Sequence, residues 1–200
     1  MAGRAVIAEP ATLIVLAGGE SKRMGFPKHR LEVGGRDILT HLHERLGPLF
    51  AETVIVGRDI EAVPYGVRVV EDRFIVRSPL VGIHGGLAAS LTDLAFVVAC
   101  DMPHVDSDLA RCLLDRANGA DVSVPVVRGF YEPLCAAYRR SCLRPIERLI
   151  DRGTLKVTSL YELVDVRNLR EEDVRACDPA LRSFVNLNTL ARDAAWRRSP

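Results

Sequence analysis

Apolar runs, interrupted by a charged residue only at Arg68, alternate with helical patterns along the first half of the chain. The runs cover residues 12–16, 53–56, 67–70 and 95–99. They lack polar alternation, which is typical of strands buried on both faces of a parallel sheet. Apolar residues also recur at helical spacing over 38–46, just before Gly47-Pro48, and over 83–91. This order predicts a doubly wound α/β fold with three layers, in which helices cover both faces of a mostly parallel sheet.

The second half of the chain has a less regular pattern. Asp106, Ser107 and Asp108 predict a capped, acidic start for a helix. The elements predicted after it are strands over 121–127 and 132–138, a helix over 141–152, short strands over 164–166 and 184–186, and a terminal helix over 189–196. Because no linker, repeat or low-complexity tract interrupts this series, the sequence predicts a single domain over residues 1–200.

The segment after the first strand has the composition of a phosphate-binding loop. It reads Leu16-Ala17-Gly18-Gly19-Glu20-Ser21-Lys22-Arg23-Met24-Gly25-Phe26-Pro27-Lys28. Gly18 and Gly19 lack a Cβ, so the backbone N–H groups there can approach a phosphate closely. Arg23 and Lys28 add positive charge, and we expect both to act on the reacting phosphates. The residues expected to bind a nucleoside triphosphate are Leu16, Ala17, Gly18, Gly19 and Lys28.

The order of residues in this loop excludes two better-known types of phosphate-binding loop. A P-loop needs Gly-Lys followed at once by Ser or Thr, whereas Gly25 is followed by Phe26 and Pro27. The dinucleotide fingerprint Gly-x-Gly-x-x-Gly does not follow the first strand either. The loop therefore points to a different class of nucleotide-binding protein.

Two aspartates follow predicted strands and are expected at the same edge of the sheet. Asp101 comes after the run 95–99, and Asp72 comes after the run 67–70. Open α/β sheets bind their ligands at the carboxyl ends of the strands. Mg²⁺ prefers one or two carboxylates, with substrate phosphates and water completing its shell. We therefore expect Asp101 to bind Mg²⁺ and Asp72 to line the nucleotide site, although capping of a turn explains Asp72 equally well.

Four other residues are weaker candidates for chemistry. Cys100 precedes Asp101, but a buried thiol is the commoner role for a cysteine on a strand. His84 could approach a phosphate or serve as an ordinary loop residue. Tyr131 and Tyr138 could pack on a flat ligand, and a place in the core is at least as well supported.

Composition and charge exclude several classes of function. The net charge of +1 gives no reason to expect nucleic acid or a membrane surface as a partner. Residues 1–10 do not resemble a signal peptide, and no apolar stretch has the length of a membrane span. The five cysteines form no Cys-x-x-Cys pair, which favours reduced thiols and a cytoplasmic location.

Four later segments share the order and spelling of a known family. The segments are Phe-Val-Val-Ala-Cys-Asp-Met-Pro at 96–103, Ser-Pro-Leu-Val-Gly-Ile at 78–83, Glu-Pro-Leu-Cys-Ala-Ala-Tyr at 132–138, and Phe-Val-Asn-Leu-Asn-Thr at 184–189. Together with the opening loop, they resemble the molybdopterin nucleotidyltransferase family, and most closely its guanylyltransferases. The chain departs from the family pattern at Ser78, where glycine is usual, at Arg58, where some relatives carry asparagine, and over 190–193.

The resemblance implies a Rossmann-like nucleotidyltransferase fold and a specific reaction. The expected reaction transfers GMP from GTP to molybdopterin and releases pyrophosphate, with Mg²⁺ as cofactor and Asp101 as its ligand. Residues of about 11–125 would bind the nucleotide and residues of about 126–196 the acceptor. Transient contacts with other cofactor-biosynthesis proteins or with molybdoenzymes would follow from such a role.

Asn186 and Asn188 are the candidates for acceptor binding. On a predicted strand, this alternating pair would face one side and could donate hydrogen bonds to a phosphate or a pterin edge. Capping of the terminal helix is the alternative role.

Three other functions stay open. They are a CTP-dependent molybdopterin cytidylyltransferase, a nucleotidyltransferase for another phosphorylated acceptor, and a non-catalytic nucleotide-binding accessory protein in cofactor delivery. Gly18 favours GTP, because the cytidylyl members of the family that the chain resembles have alanine at this position.

Overall fold

A mixed sheet of eight strands forms the middle layer of the protein. The computed structural model describes residues 10–18, 32–33, 35–60, 63–71, 74 and 76–187. The strands of this sheet are β1 (Ala11–Leu16), β4 (Glu52–Val56), β5 (Arg68–Val70), β6 (Leu94–Ala99), β7 (Val122–Val127), β8 (Phe130–Tyr131), β9 (Cys135–Arg139) and β10 (Val166–Arg170). Two more strands, β2 (Glu32–Val33) and β3 (Arg36–Asp37), form a separate ribbon.

The strand order is β10-β7-β9-β6-β1-β4-β5, and β8 pairs with β7 outside this path. β1 is parallel to both of its neighbours, β6 and β4, and β5 is parallel to β4. β9 runs antiparallel to β6 and to β7, so β7 points the same way as β6. The carboxyl ends of β5, β4, β1, β6, β7 and β10 consequently meet at one edge of the sheet, called the carboxyl edge below.

Helices cover both faces of the sheet. In the described part of the chain the α-helices are α1 (Ile38–Leu46), α2 (Pro79–Ala89), α3 (Ser107–Arg116), α4 (Leu143–Asp151) and α5 (Glu171–Cys177). Short 3-10 helices cover Gly47–Leu49, Arg140–Cys142, Val157–Glu162 and Arg182–Phe184.

Two separate apolar clusters show why the strand patterns lack alternation. Leu13 and Phe96 belong to the cluster under α1, α3 and α5, whereas Ile14 and Val97 belong to the cluster under α2 and α4. Successive residues of β1 and β6 thus point to opposite faces and are fully buried on each. The predicted three-layer, doubly wound α/β fold is confirmed.

Several predicted elements differ from the observed ones in the second half of the chain. The strand predicted over 164–166 instead covers Val166–Arg170, and α5 had no counterpart among the predictions. The strand predicted over 184–186 is wrong, because Arg182–Phe184 forms a 3-10 helix. The N–H of Ser183 there donates to Asp178 Oδ2 at 2.8 Å rather than to a neighbouring strand. The predicted terminal helix over 189–196 lies outside the described residues.

The cysteines are only partly as expected. Cys100, Cys135 and Cys142 are buried free thiols, but Cys112 of α3 and Cys177 of α5 form a disulfide. The expectation that all thiols are reduced is therefore wrong for this pair. Spacing could not reveal it, because the two residues are 65 positions apart and meet only where α5 packs beside α3. Among the described residues, no helix has the length and apolar character needed to cross a membrane.

Candidate active site at the carboxyl edge

The carboxyl edge places the start of the predicted nucleotide loop beside Asp101. The N–H of Cys100 donates to the carbonyl of Leu16 at 3.1 Å, so the pairing of β1 with β6 continues to the last residue before Asp101. Leu16 and Ala17 are buried, whereas Gly18 is exposed. A Cβ at Gly18 would meet no heavy atom within 4 Å. Gly18 therefore leaves the sheet into open space at the edge where a ligand is expected.

The structure does not describe the rest of the predicted nucleotide loop. Gly19, Arg23 and Lys28 lie outside the described residues, and so does Asp72. Their proposed contacts with the triphosphate stay predictions.

Asp101 occupies a tight turn directly after β6. The N–H of Met102 donates to the carbonyl of Ala99 at 3.1 Å and closes this turn. Asp101 is only 9% exposed, and its carbonyl accepts the N–H of Leu187 at 2.9 Å. This bond fastens a distant segment of the chain to the turn that carries Asp101. Asn186 lies in that segment, so one of the two predicted acceptor residues is adjacent to the predicted metal ligand, and Asn188 lies outside the described residues.

The chemistry of Asp101 fits Mg²⁺ that enters with a nucleotide. Mg²⁺ typically takes one or two protein carboxylates and completes its shell with phosphate oxygens and water. The described residues contain no cluster of three or more His, Cys, Asp or Glu side chains able to enclose a metal. Asp101 therefore suits an ion that is held largely by a triphosphate.

Arg58 joins two segments next to the carboxyl end of β4. Its Nη2 donates to the carbonyl of Phe74 at 3.4 Å, and its Nε lies 3.7 Å from Glu71 Oε2. Glu71 and Phe74 flank Asp72 in the sequence. Arg58 thus positions the chain on both sides of Asp72.

The β7–β8 hairpin extends the sheet beyond the carboxyl end of β7. Arg128 and Gly129 form its two-residue turn with φ of 52° and 80°, a combination that suits a tightly twisted hairpin. Phe130 is 74% exposed beside this turn. Burial raises the pKa of Glu132, which follows the hairpin, although the charge of Arg128 opposes the shift. The sequence pattern did not single out Glu132 as a titrating group.

Three of the four weaker candidates, His84, Tyr138 and Cys100, have structural roles in the described geometry. His84 lies on α2 rather than in a loop, with Nε2 3.0 Å from Glu147 Oε1 of α4 and its ring against the edge of Phe74. Tyr138 is fully buried and donates its hydroxyl to the carbonyl of Pro133 at 2.8 Å. Cys100 is buried at the end of β6. None of these contacts is with Asp101 or Gly18.

Basic side chains that the sequence pattern did not reveal meet beside the loop after Asp101. They are His41, Arg45, His104 and Arg182, called the basic patch below. Three separate segments of the chain supply them, so no spacing in the sequence signals the group. Only the packing of α1 and of the chain after α5 against this loop brings them together.

Comparison with known proteins identifies one family for most of the chain. The family model of the MobA-like NTP transferase domain matches residues 13–169. A probable molybdenum cofactor guanylyltransferase from Pelotomaculum thermopropionicum is 39% identical over 180 residues, which cover 90% of this chain and 88% of that protein. The molybdenum cofactor guanylyltransferase from Desulfosudis oleivorans is 34% identical over 184 residues, which cover 90% and 91%.

Solved structures give the same picture at the level of the fold. Molybdopterin-guanine dinucleotide biosynthesis protein A from Archaeoglobus fulgidus superposes with a TM-score of 0.76 at 28% identity, covering 89% of this chain and 92% of that one. A 2-C-methyl-D-erythritol 4-phosphate cytidylyltransferase from Thermus thermophilus superposes with a TM-score of 0.65 at 18% identity, over 95% and 100% of the two chains. The second likeness shows that the fold is shared with nucleotidyltransferases of other acceptors.

Proposed function

Because this chain belongs to the MobA-like NTP transferase family, we propose that it transfers GMP from GTP to molybdopterin and releases pyrophosphate. The relatives named as molybdenum cofactor guanylyltransferases, at 39% and 34% identity over nine-tenths of the chain, support this reaction. One structural observation carries the proposal. The bond from Leu187 N–H to the Asp101 carbonyl, 2.9 Å long, holds the segment of the proposed acceptor residue Asn186 beside the proposed metal ligand.

In the proposed reaction, a phosphate oxygen of the acceptor attacks the α-phosphorus of GTP. The new oxygen–phosphorus bond forms in line with the bond to the leaving pyrophosphate, which breaks. A phosphate monoester with a second pKa of about 6 is already largely a dianion at neutral pH, so no protein base is needed to activate it. The contribution of the chain is therefore positioning and charge.

Each part of the site has a proposed task in this reaction. Asp101 would hold Mg²⁺, which when bound neutralises charge on the phosphate oxygens. The backbone from Leu16 to Gly19, together with Arg23, Lys28 and Asp72, would hold the nucleotide. Asn186 and Asn188 would orient the acceptor. In this proposal, residues of about 11–125 form the nucleotide part and residues of about 126–196 the acceptor part of one domain.

The direct test incubates the purified protein with α-labelled GTP, Mg²⁺ and molybdopterin. The expected products are a labelled dinucleotide and pyrophosphate in equal amounts, and both should disappear when molybdopterin is omitted. Pyrophosphate release at the same rate without molybdopterin would contradict acceptor-dependent transfer. Tight GTP binding without any product would favour the accessory-protein alternative.

The exposed, unobstructed position of Gly18 favours GTP over CTP in this proposal. A methyl group added there would meet no heavy atom of the described residues within 4 Å, so it would crowd a nucleotide bound at this edge rather than the protein. Predominant incorporation of CMP from an equal mixture of GTP and CTP would instead identify a cytidylyltransferase. A cytoplasmic location, where GTP is made and used, and transient contacts with other proteins of cofactor assembly accompany the proposed role.

A further inference from the structure

The basic patch is held against the loop after Asp101 by contacts from α1. His41 Nε2 lies 3.0 Å from the carbonyl of Pro103, and Arg45 Nη2 donates to the carbonyl of Val105 at 3.2 Å. Two basic side chains one helical turn apart are thus anchored along the same loop, and His104 lies between the two carbonyls that they contact. These anchors fix the patch within a few residues of Asp101.

The chain after α5 closes the patch from the other side. The N–H of Asp106 donates to Ser183 Oγ at 2.9 Å, and the neighbouring Arg182 lies close enough to His104 for its charge to act on that imidazole. The same segment continues to Leu187, whose N–H binds the carbonyl of Asp101. Arg182 of the basic patch and the proposed acceptor residue Asn186 therefore lie on one short segment that is bonded to the chain around Asp101 at two points.

The patch carries positive charge that no ion pair with a described carboxylate balances. Within the residues that the structure describes, no ion pair joins any of its four members to an acidic group. The carboxylates of Asp106 and Asp178 each accept a backbone N–H, from Asp108 and from Ser183 respectively. Burial and the positive charges of Arg45, His41 and Arg182 lower the pKa of His104. The patch thus shows mutual repulsion that a bound anion would relieve.

We propose that the basic patch binds a phosphate-type oxyanion beside the acceptor site. Arginine forks form paired, charge-assisted hydrogen bonds with such groups, and both Arg45 and Arg182 are exposed. A neutral imidazole at His104 can also donate an N–H. The oxyanion comes either from the acceptor itself, which rests on the proposed function, or from free phosphate.

The test removes the two arginine charges and leaves both histidines of the patch unchanged, including the contact of His41 with the Pro103 carbonyl. The variant is Arg45→Gln/Arg182→Gln, and the matched control is Arg144→Gln/Arg148→Gln. The control also loses two exposed arginines, but they lie on α4 at the opposite face of the sheet. Inorganic phosphate is titrated at low salt into each protein, and the imidazole NMR signals are followed, with that of His104 assigned from His104→Gln.

Phosphate should raise the pKa of His104 in the unmodified protein and in the control, with saturation in the millimolar range. In Arg45→Gln/Arg182→Gln, phosphate binding should weaken at least about tenfold, equivalent to about 1.4 kcal/mol. Equal phosphate binding by the variant and the control, or no effect of phosphate on His104, would overturn the proposal. This titration needs no turnover, so it is independent of whether the chain transfers GMP.

Steady-state kinetics then distinguish the two sources of the oxyanion. If the acceptor supplies it, Arg45→Gln/Arg182→Gln should raise the KM for molybdopterin at least fivefold with the KM for GTP unchanged. If free phosphate is the ligand, the variant should lose phosphate binding while the KM for molybdopterin stays the same. Both results support an oxyanion site.

Discussion

Asp101 is nine-tenths buried in a turn whose backbone is bonded to Ala99 of β6 on one side and to Leu187 on the other. An asparagine has the same shape and removes only the charge. Asp101→Asn should therefore fold normally and lose turnover by about a hundredfold or more, as when other preorganised charge-stabilising groups are removed. Thermal unfolding and kcat for pyrophosphate release check both halves of this prediction.

Asp108→Asn is the matched control for this variant. Asp108 is an exposed carboxylate on α3, paired loosely with Arg111, and lies in the same stretch of chain. It should retain normal turnover. Near-native activity of Asp101→Asn at ordinary Mg²⁺ would show that Asp101 is not the principal metal ligand.

Gly18 offers a test of nucleotide choice that leaves the fold intact. Because a Cβ there meets nothing within 4 Å, Gly18→Ala should not change the melting temperature noticeably. It should weaken the use of GTP more than that of CTP, by about 1–3 kcal/mol in relative kcat/KM, since the added methyl group crowds the larger base. Competition between equal GTP and CTP measures the ratio. An unchanged ratio would remove Gly18 as a determinant of specificity.

Glu132 should make stability depend on pH with an unusual sign. Its pKa is raised by burial, so the folded protein holds its proton more tightly than the unfolded chain does. The ionised group therefore weakens folding at neutral pH, and this cost disappears as the pH falls through the raised pKa toward 4.5. At pH 8, Glu132→Gln should therefore raise the free energy of unfolding, measured by urea denaturation. The increase should be less than about 1 kcal/mol, because partial exposure of the side chain screens the effect.

The gain from Glu132→Gln should vanish near pH 4. Glu171 provides a control with the opposite sign, because hydrogen bonds from the Arg128 N–H and from Arg175 lower its pKa. Glu171→Gln should therefore destabilise the protein at neutral pH, and the difference should shrink as the pH falls. Urea unfolding at several pH values measures both variants. The same sign for the two would contradict the assignment for Glu132.

At the scale of elements, α2 lies unusually close to β1. A Cβ at Gly86 would sit 2.5 Å from Ile14 Cγ2, whereas a Cβ at Gly82 would sit 3.2 Å from Leu16 Cδ2. Ile14 is fully buried, so it cannot move aside without disturbing the core. Gly86→Ala should therefore lower the free energy of unfolding by about 1–2 kcal/mol, despite the better helix propensity of alanine.

Gly82→Ala is the internal comparison for this prediction. The longer distance at Gly82 requires only a small adjustment, so the gain in helix propensity should offset it and leave stability nearly unchanged. Urea denaturation of both variants provides the measurement. A stabilised Gly86→Ala would mean that α2 can move away from β1 at little cost.

The elements also show which predictions could succeed. β1 and β6 were predictable because both of their faces are buried, which leaves a continuous apolar run in the sequence. α5 was not, because Val174 is its only buried residue and seven residues give little periodicity. The strand predicted around Phe184 failed because hydrogen bonds to Asp178 and Asp101 take up the backbone that a strand partner would need.

At the scale of the whole molecule, the disulfide closes a loop across the second half of the chain. Cys112 and Cys177 are 65 positions apart, and the chain between them contains β7, β8, β9, α4 and β10. Closing such a loop restricts the conformations of the unfolded chain. The free energy of unfolding of the oxidised protein should therefore be about 2–4 kcal/mol higher than that of the reduced protein. Urea unfolding with and without reductant measures this difference, which should be absent in Cys177→Ser.

Thiol counting provides the second readout for the disulfide. Unfolded, unreduced protein should expose three thiols, those of Cys100, Cys135 and Cys142. Treatment with reductant should raise the count to all five cysteines. Five thiols without reductant would show that the pair does not form a bond in the purified protein. In a reducing compartment such as the cytoplasm, Cys112 and Cys177 would be held as thiols. For a cytoplasmic protein, the disulfide would then form on oxidation after isolation.

The sequence alone determined the layered α/β fold, the nucleotide-loop pattern and the position of Asp101 after a buried strand. These are local features, because each depends on only a few neighbouring residues. The features are burial on both faces of a strand, the lack of a Cβ at glycine and the change of polarity at the end of a strand. Only the tertiary structure decided that Leu187 binds the turn of Asp101, that Cys112 meets Cys177, and that the basic patch forms. Those pairings join residues far apart in the chain, and the packing of the helices and of the chain after α5 around the sheet sets their distances.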